Sequence, residues 1–116
     1  MADITIYHKP TCSTCRNVIK LVEASGHTIR AINYYEQPFT TAQLSSLLQK
    51  GKLRATDVLR TKEDIYKTLN LKSSMPDEEA LIKLMVQYPD LIQRPLVERG
   101  ATVILARPPE TVKTLL

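Results

Sequence analysis

The chain has 116 residues, 43% of them hydrophobic and 24% charged, with a formal net charge of +4 from 16 Lys and Arg against 12 Asp and Glu. At about 100–200 residues per domain, residues 1–116 make one domain, large enough to bury an ordinary core without staples. The composition is too apolar and too balanced in charge for a disordered tail. The longest purely apolar stretch near the C-terminus, Val103 to Ala106, falls far short of the ~20 residues of a membrane span. Met1 to His8 reads as a strand and lacks a basic segment followed by an apolar one, so no signal peptide is expected. The expected compartment is therefore the cytoplasm, where two cysteines point to catalytic or redox work rather than a structural bridge. The positive balance suits an anionic partner, a small oxyanion or nucleic acid. The basic residues are spread along the chain with no like-charge block and no interleaved aromatics, which argues against nucleic-acid binding.

Ile4 and Ile6 alternate with polar neighbours up to His8, the pattern of a short strand that Pro10 breaks. A helix is predicted from about Thr14 to Ser25, with Cys15, Val18, Leu21 and Val22 on one face and Gly26 as its stop. Ile29 to Tyr35 is β-rich and completes a βαβ unit, for which a right-handed crossover is expected. After Pro38, Thr40 and Gln43 form a capping box for a helix carrying Leu44, Leu47 and Leu48 up to Gly51. Short helical pieces are predicted near Val58–Leu59 and Ile65–Leu69. Asp77, Glu78 and Glu79 fall in the first turn of a helix with Ala80, Leu81, Leu84 and Met85 on one face, ended by Pro89. Leu96–Val97 and Thr102–Leu105 flank Glu98-Arg99-Gly100-Ala101 as a hairpin. Pro108, Pro109 and Glu110 open a last helix with Val112 and Leu115 facing inward. The expected fold is α/β, with an N-terminal parallel unit, a helical middle and a C-terminal hairpin on one small mixed sheet.

The chemistry concentrates in Tyr7-His8-Lys9-Pro10-Thr11-Cys12-Ser13-Thr14-Cys15-Arg16-Asn17. A C-x-x-C that follows the first strand and opens the first helix is the thioredoxin-like arrangement. There the unpaired backbone N–H groups and the helix dipole stabilise a thiolate at Cys12, and the same groups can hold an oxyanion beside the sulfur. His8 and Arg16 add positive charge nearby, and the ring of His8 is expected to help lower the Cys12 pKa; a hydrogen-bonded histidine closing a strand is the plainer alternative. Cys15 lies one turn into the helix on its apolar side, so core packing and a redox role both stand open for it. His8, His27 and the two cysteines lack the paired ligand spacing of a zinc site, and no metal is expected. Arg60, Arg94 and Arg107 each sit at an element boundary beside a turn or proline, and guanidinium groups suit bidentate oxyanion binding. Spacing alone does not bring them together, and solvated surface arginines have the same spacing.

Tyr-His-x-Pro-x-Cys at 7–12, Leu59-Arg60, Arg94-Pro95, Arg107-Pro108 and the helical segment from Lys62 to Leu71 together resemble the glutaredoxin-linked arsenate reductases, over nearly the whole chain. The resemblance implies a thioredoxin-like fold with a helical insertion and a four-stranded sheet. It implies that Arg60, Arg94 and Arg107 gather around Cys12 to hold arsenate, and that no cofactor is bound. It also implies that Cys12 attacks arsenic, that glutathione is co-substrate, and that glutaredoxin regenerates the thiol. The bond before the proline matching Pro95 is typically cis in that family. This chain departs from the family pattern in three ways. Lys9 stands where Asn is common, the chain ends soon after Arg107 as in the shorter chromosomal relatives, and Cys15 makes a C-x-x-C that many of these reductases lack. Cys15 opens a route in which it attacks modified Cys12 to form an internal disulfide, with thioredoxin as reductant. Disulfide-sensing transcription regulators of the same fold also carry an N-terminal C-x-x-C. They generally lack the third arginine, present here as Arg107, and have a longer tail. A thiol oxidoreductase with another substrate is the remaining alternative. Few aromatic residues and mixed surface charge point to a monomer.

Overall fold

The structure is a computed structural model that describes residues 3–116; Met1 and Ala2, the start of the expected first strand, lie outside the described residues. The chain divides into two compact units, Met1–Gln37 with Arg94–Leu116, and Pro38–Gln93.

The first unit carries a four-stranded mixed sheet in the order β2-β1-β3-β4. The strands are β1 (Ile4–His8), β2 (Ile29–Asn33), β3 (Leu96–Arg99) and β4 (Thr102–Leu105). β1 runs parallel to β2 and antiparallel to β3, and β3 and β4 form the expected hairpin, turning through Gly100 at φ 59°. A positive φ costs glycine nothing, because it has no Cβ to meet the carbonyl. The period of two along β1 buries Ile4 and Ile6 completely, while Thr5 and Tyr7 stay half-buried on the other face. Helix α1 (Ser13–Ala24) presents Cys15, Val18 and Val22 to the core, with Leu21 only half-buried, and Gly26 at φ 86° follows its end. α1 packs against a C-terminal 3-10 helix, Pro109–Leu115, from which Val112 and Leu115 point inward as expected. That segment is a 3-10 helix where an ordinary helix was expected; Pro109 and Pro108 withhold two backbone donors at its start. Ile4, Ile6, Val18, Val22, Val97, Ala106, Val112 and Leu115 make one continuous core. Each of the isoleucine, valine and leucine side chains is worth ~1.5–3 kcal/mol when fully buried.

The second unit is the helical insertion. α2 (Thr41–Lys50) opens with the expected capping box: the Gln43 N–H donates to Thr40 Oγ1 at 3.0 Å, and the Thr40 N–H donates to Gln43 Oε1 at 2.9 Å. α2 packs on α4 (Glu78–Gln87) through Leu44, Leu47, Leu48, Leu81, Ile82 and Met85. Asp77 is the cap of α4 rather than a member of its first turn, accepting from the Ala80 N–H at 2.9 Å. Ile82, not Leu84, is the buried partner of Leu81. A 3-10 helix at Ala55–Val58, the short α3 (Asp64–Thr68) and a 3-10 helix at Pro89–Leu91 complete the unit.

Register fixes what meets at one edge of the sheet. His8 pairs with Asn33 at the carboxyl ends of β1 and β2, and Tyr7 pairs with Leu96 near the amino end of β3. Leu96 in turn pairs with Leu105 at the carboxyl end of β4. The residues just beyond those ends are Lys9 to Cys12, Tyr34 and Tyr35, Arg94 and Pro95, and Ala106 and Arg107. They therefore lie along one edge, although up to 98 positions separate Lys9 from Arg107 in the chain.

Candidate active site

Cys12 is the N-cap of α1, in extended conformation at φ −83° and ψ 122°. A tight turn delivers it there, its N–H donating to the Lys9 carbonyl at 2.9 Å, and its own carbonyl accepts the first helical bond, from the Arg16 N–H at 3.1 Å. The N–H groups of the first turn have no intrahelical acceptors, which leaves positive potential at the sulfur. No side chain closes the cap with a hydrogen bond of ordinary geometry. Cys12 remains half-buried, whereas Cys15, one turn on, is wholly buried.

Burial pushes the Cys12 thiol up, but the Cys15 N–H, the Cys15 thiol and the Arg94 guanidinium outweigh it and bring Cys12 down to about 7. Burial drives Cys15 the other way, up to about 12, and the neighbouring Cys12 sulfur adds to the rise. Each thiol acts on the titration of the other, so the site holds one sulfur disposed to ionise near one held protonated. Both are free thiols.

Arg94 is the buried charge of the site, 7% exposed. Its Nη1 donates to the Tyr35 hydroxyl at 3.4 Å, and Tyr34 and Cys12 also lie against the guanidinium. Its Nε is buried without a hydrogen-bond partner. A buried donor left unpaired costs about 1–3 kcal/mol, more when charged, and an anion is the partner that would satisfy it. The Arg94-Pro95 bond is cis, as expected from the resemblance, and Arg107-Pro108 is cis as well. Arg107 is exposed, with Nη1 donating 2.9 Å to the Arg94 carbonyl.

Proximity in the chain assigns His8 and Arg16 a share in lowering the Cys12 pKa. In the structure that share falls to Cys15 and Arg94. Burial lowers the pKa of His8, favouring the neutral ring, and its Nδ1 is buried without a partner. Arg16 is exposed and turns back onto the Pro10 carbonyl at 3.3 Å. Arg60 belongs to the second unit. There its Nε pairs with Glu63 at 3.0 Å, Nη1 donates to Gln93 at 3.1 Å, and its N–H donates to the Leu91 carbonyl at 2.8 Å. Tyr34 and Tyr35 were not singled out in the sequence; their only signal was a position directly after the strand that pairs with β1. Among the described residues no three His, Cys, Asp or Glu side chains gather as a metal ion would require, and no helix is long and apolar enough to cross a membrane.

A thiol at a helix N-cap, at the end of the first strand of a thioredoxin-like sheet and beside a buried arginine, defines a class of thiol proteins that handle anions. Residues 7–115 match the model of the ArsC family, and the chain belongs to that family. It is 41% identical over 110 residues to the protein YfgD of Escherichia coli (strain K12), covering 94% of this chain and 92% of that one. It is 38% identical over 113 residues to arsenate reductase ArsI2 of Synechocystis, covering 97% and 81%. The structure of an arsenate reductase from Vibrio cholerae superposes with a TM-score of 0.93 at 35% identity, covering 99% of this chain and 98% of that one.

Proposed function

We propose that this protein reduces arsenate to arsenite, with Cys12 as nucleophile. The observation that carries the reading is Arg94: a buried guanidinium with an unpaired Nε, set against an activated thiol at a helix N-terminus. That is an oxyanion site with a nucleophile at its floor, and the arsenate reductases among its relatives supply the substrate. Arg94, Arg107 and the α1 N–H groups neutralise the charge that would otherwise keep arsenate from a thiolate; Arg60 joins them by family resemblance. The Cys12 sulfur forms the S–As bond as an arsenate hydroxyl takes a proton and leaves as water. A neutral His8 suits general acid–base work on that hydroxyl. Glutathione, as co-substrate, attacks the Cys12 sulfur. The S–As electron pair stays on arsenic, which leaves as trivalent arsenite, and Cys12 is left as a mixed disulfide. Glutaredoxin removes the glutathione. No bound cofactor enters, and the reading puts the protein in the cytoplasm, where glutathione is kept reduced. NADPH consumption with arsenate, glutathione, glutaredoxin and glutathione reductase tests it; a rate that is the same without the protein would sink it.

The placement of Cys15 one turn after Cys12, with each thiol acting on the titration of the other, favours a second reading of the last step. Cys15 attacks the Cys12–glutathione disulfide, glutathione leaves with the Cys15 proton, and a Cys12–Cys15 disulfide remains for glutaredoxin or thioredoxin to reduce. Mass spectrometry after oxidised glutathione separates the two routes. Loss of two hydrogens marks the internal disulfide, whereas one stable glutathione per chain leaves Cys15 as a core residue. Arsenate-independent disulfide formation without any turnover would instead favour a redox-sensing regulator, or a thiol oxidoreductase with another substrate.

A further inference from the structure

Arg94 and Lys9 converge on one side chain that the reaction itself does not use. The Tyr35 hydroxyl accepts from Arg94 Nη1 at 3.4 Å, and the Lys9 ammonium lies 4.8 Å from the centre of the Tyr35 ring. We propose that Tyr35 is a positioning residue of the oxyanion site: its hydroxyl holds the Arg94 guanidinium against Cys12, and its ring seats Lys9 as an additional cation at the same edge. The proposal rests on the oxyanion reading above and adds two residues to it.

The geometry of Tyr35 is itself fixed. Asn33 ends β2, and its side-chain oxygen accepts the Tyr35 N–H at 2.9 Å, while its carbonyl accepts from Gln37 at 2.9 Å, closing a turn that sets the tyrosine backbone. The Tyr35 ring then packs against Tyr34, with centroids 5.0 Å apart and planes at 30°, and Tyr34 is 1% exposed. A half-buried ring stacked on a buried one has little rotamer freedom to lose when it orients a partner. A cation over an aromatic face is attracted by the ring quadrupole, so Lys9 is drawn toward the edge where Arg94 and Cys12 meet. Lys9 is tied to the same place through its backbone, whose carbonyl accepts the Cys12 N–H at 2.9 Å. Tyrosine meets both demands at once: phenylalanine would keep only the seat for Lys9, and leucine neither.

Three single variants and one double variant separate these parts. Tyr35→Phe is expected to move the pH midpoint of Cys12 alkylation by iodoacetamide upward, because Arg94 is no longer held against the sulfur. It is also expected to raise the arsenate KM about 2- to 10-fold, the effect of losing one long, weak hydrogen bond, with kcat changed far less. Lys9→Gln is expected to raise the arsenate KM and reduce its dependence on salt. Adding Lys9→Gln to Tyr35→Leu is expected to cost less than Lys9→Gln does alone, since the seat is already gone. A purely structural Tyr35 would lower the melting temperature and leave the midpoint where it is. The midpoint is read without arsenate, so it decides the Arg94 half even if arsenate proves not to be a substrate. An unmoved midpoint in Tyr35→Phe overturns that half, and an unchanged KM in Lys9→Gln, in an enzyme that does turn over arsenate, overturns the other.

Discussion

Arg107 Nη1 donates a 2.9 Å hydrogen bond to the backbone carbonyl of Arg94. One arginine thus anchors the strand entry that carries the other, and the two have unequal parts. Arg94 is buried and bears directly on the Cys12 sulfur; Arg107 is exposed. Arg94→Ala is expected to lower kcat/KM for arsenate by ~10-fold or more, since a charge-assisted contact contributes ~1.5–3 kcal/mol, and to raise the alkylation midpoint of Cys12. Arg107→Ala is expected to raise KM while leaving that midpoint close to wild type. Steady-state kinetics and alkylation rates on the same preparations check both, and equal effects on the midpoint would contradict the division.

Cys12→Ser is expected to abolish turnover. A hydroxyl at a helix N-cap is a good hydrogen-bonding cap but a poor nucleophile at neutral pH, so this variant should reach the same fold as wild type. Intact circular dichroism with no arsenate-dependent NADPH consumption is the expected pair of results; retained turnover would remove sulfur from the chemistry.

The two thiols give opposite pH signatures. An ordinary cysteine titrates at 9.0, and folding brings Cys12 down to about 7. Its contribution to stability is therefore present above 9 and lost as the pH falls through about 7. Cys15 is held up to about 12, so its contribution is complete below the ordinary thiol range and lost as the pH rises toward 12. Urea midpoints of wild type and Cys12→Ser should accordingly draw apart as the pH rises from about 7 to 9.0, the interval between the folded and the ordinary thiol, with wild type gaining. Iodoacetamide should label one cysteine per native chain at pH 8, a value roughly between the two titrations.

The second unit offers a control away from the thiols. Thr40→Ala removes one half of the α2 capping box, and Asp77→Ala removes the acceptor of the Ala80 N–H. Each should cost ~1 kcal/mol in urea unfolding while the pH midpoint of Cys12 alkylation stays fixed. A loss well below that for Asp77→Ala would mean that another group caps α4.

Much of this was legible in the sequence because it depends on neighbours in the chain. The period of two in Ile4 and Ile6, the helical spacing of Cys15, Val18 and Val22, the Thr40–Gln43 box and the turn at Gly100 are local patterns with local physics. They determined the order of the elements and put Cys12 at a helix N-terminus. Local rules failed where the backbone departs from them: the final segment is a 3-10 helix, and Asp77 caps its helix instead of entering it.

Composition and spacing singled out Arg94 only alongside Arg60 and Arg107 and did not bring it to Cys12, because burial and partners belong to the fold. Strand register decided it. β3 lies antiparallel beside β1, with Tyr7 opposite Leu96, and that pairing brings Arg94 to the turn that leads into Cys12. The parallel pairing of His8 with Asn33 delivers Tyr34 and Tyr35 to the same edge. Which groups lower the Cys12 pKa followed from those placements: Cys15 and Arg94 take the part that proximity in the chain had suggested for His8 and Arg16. Charge acts through space and is weighted by burial, so the chain alone marked Cys12 as the proposed nucleophile, and only the packed sheet decided which groups lower its pKa.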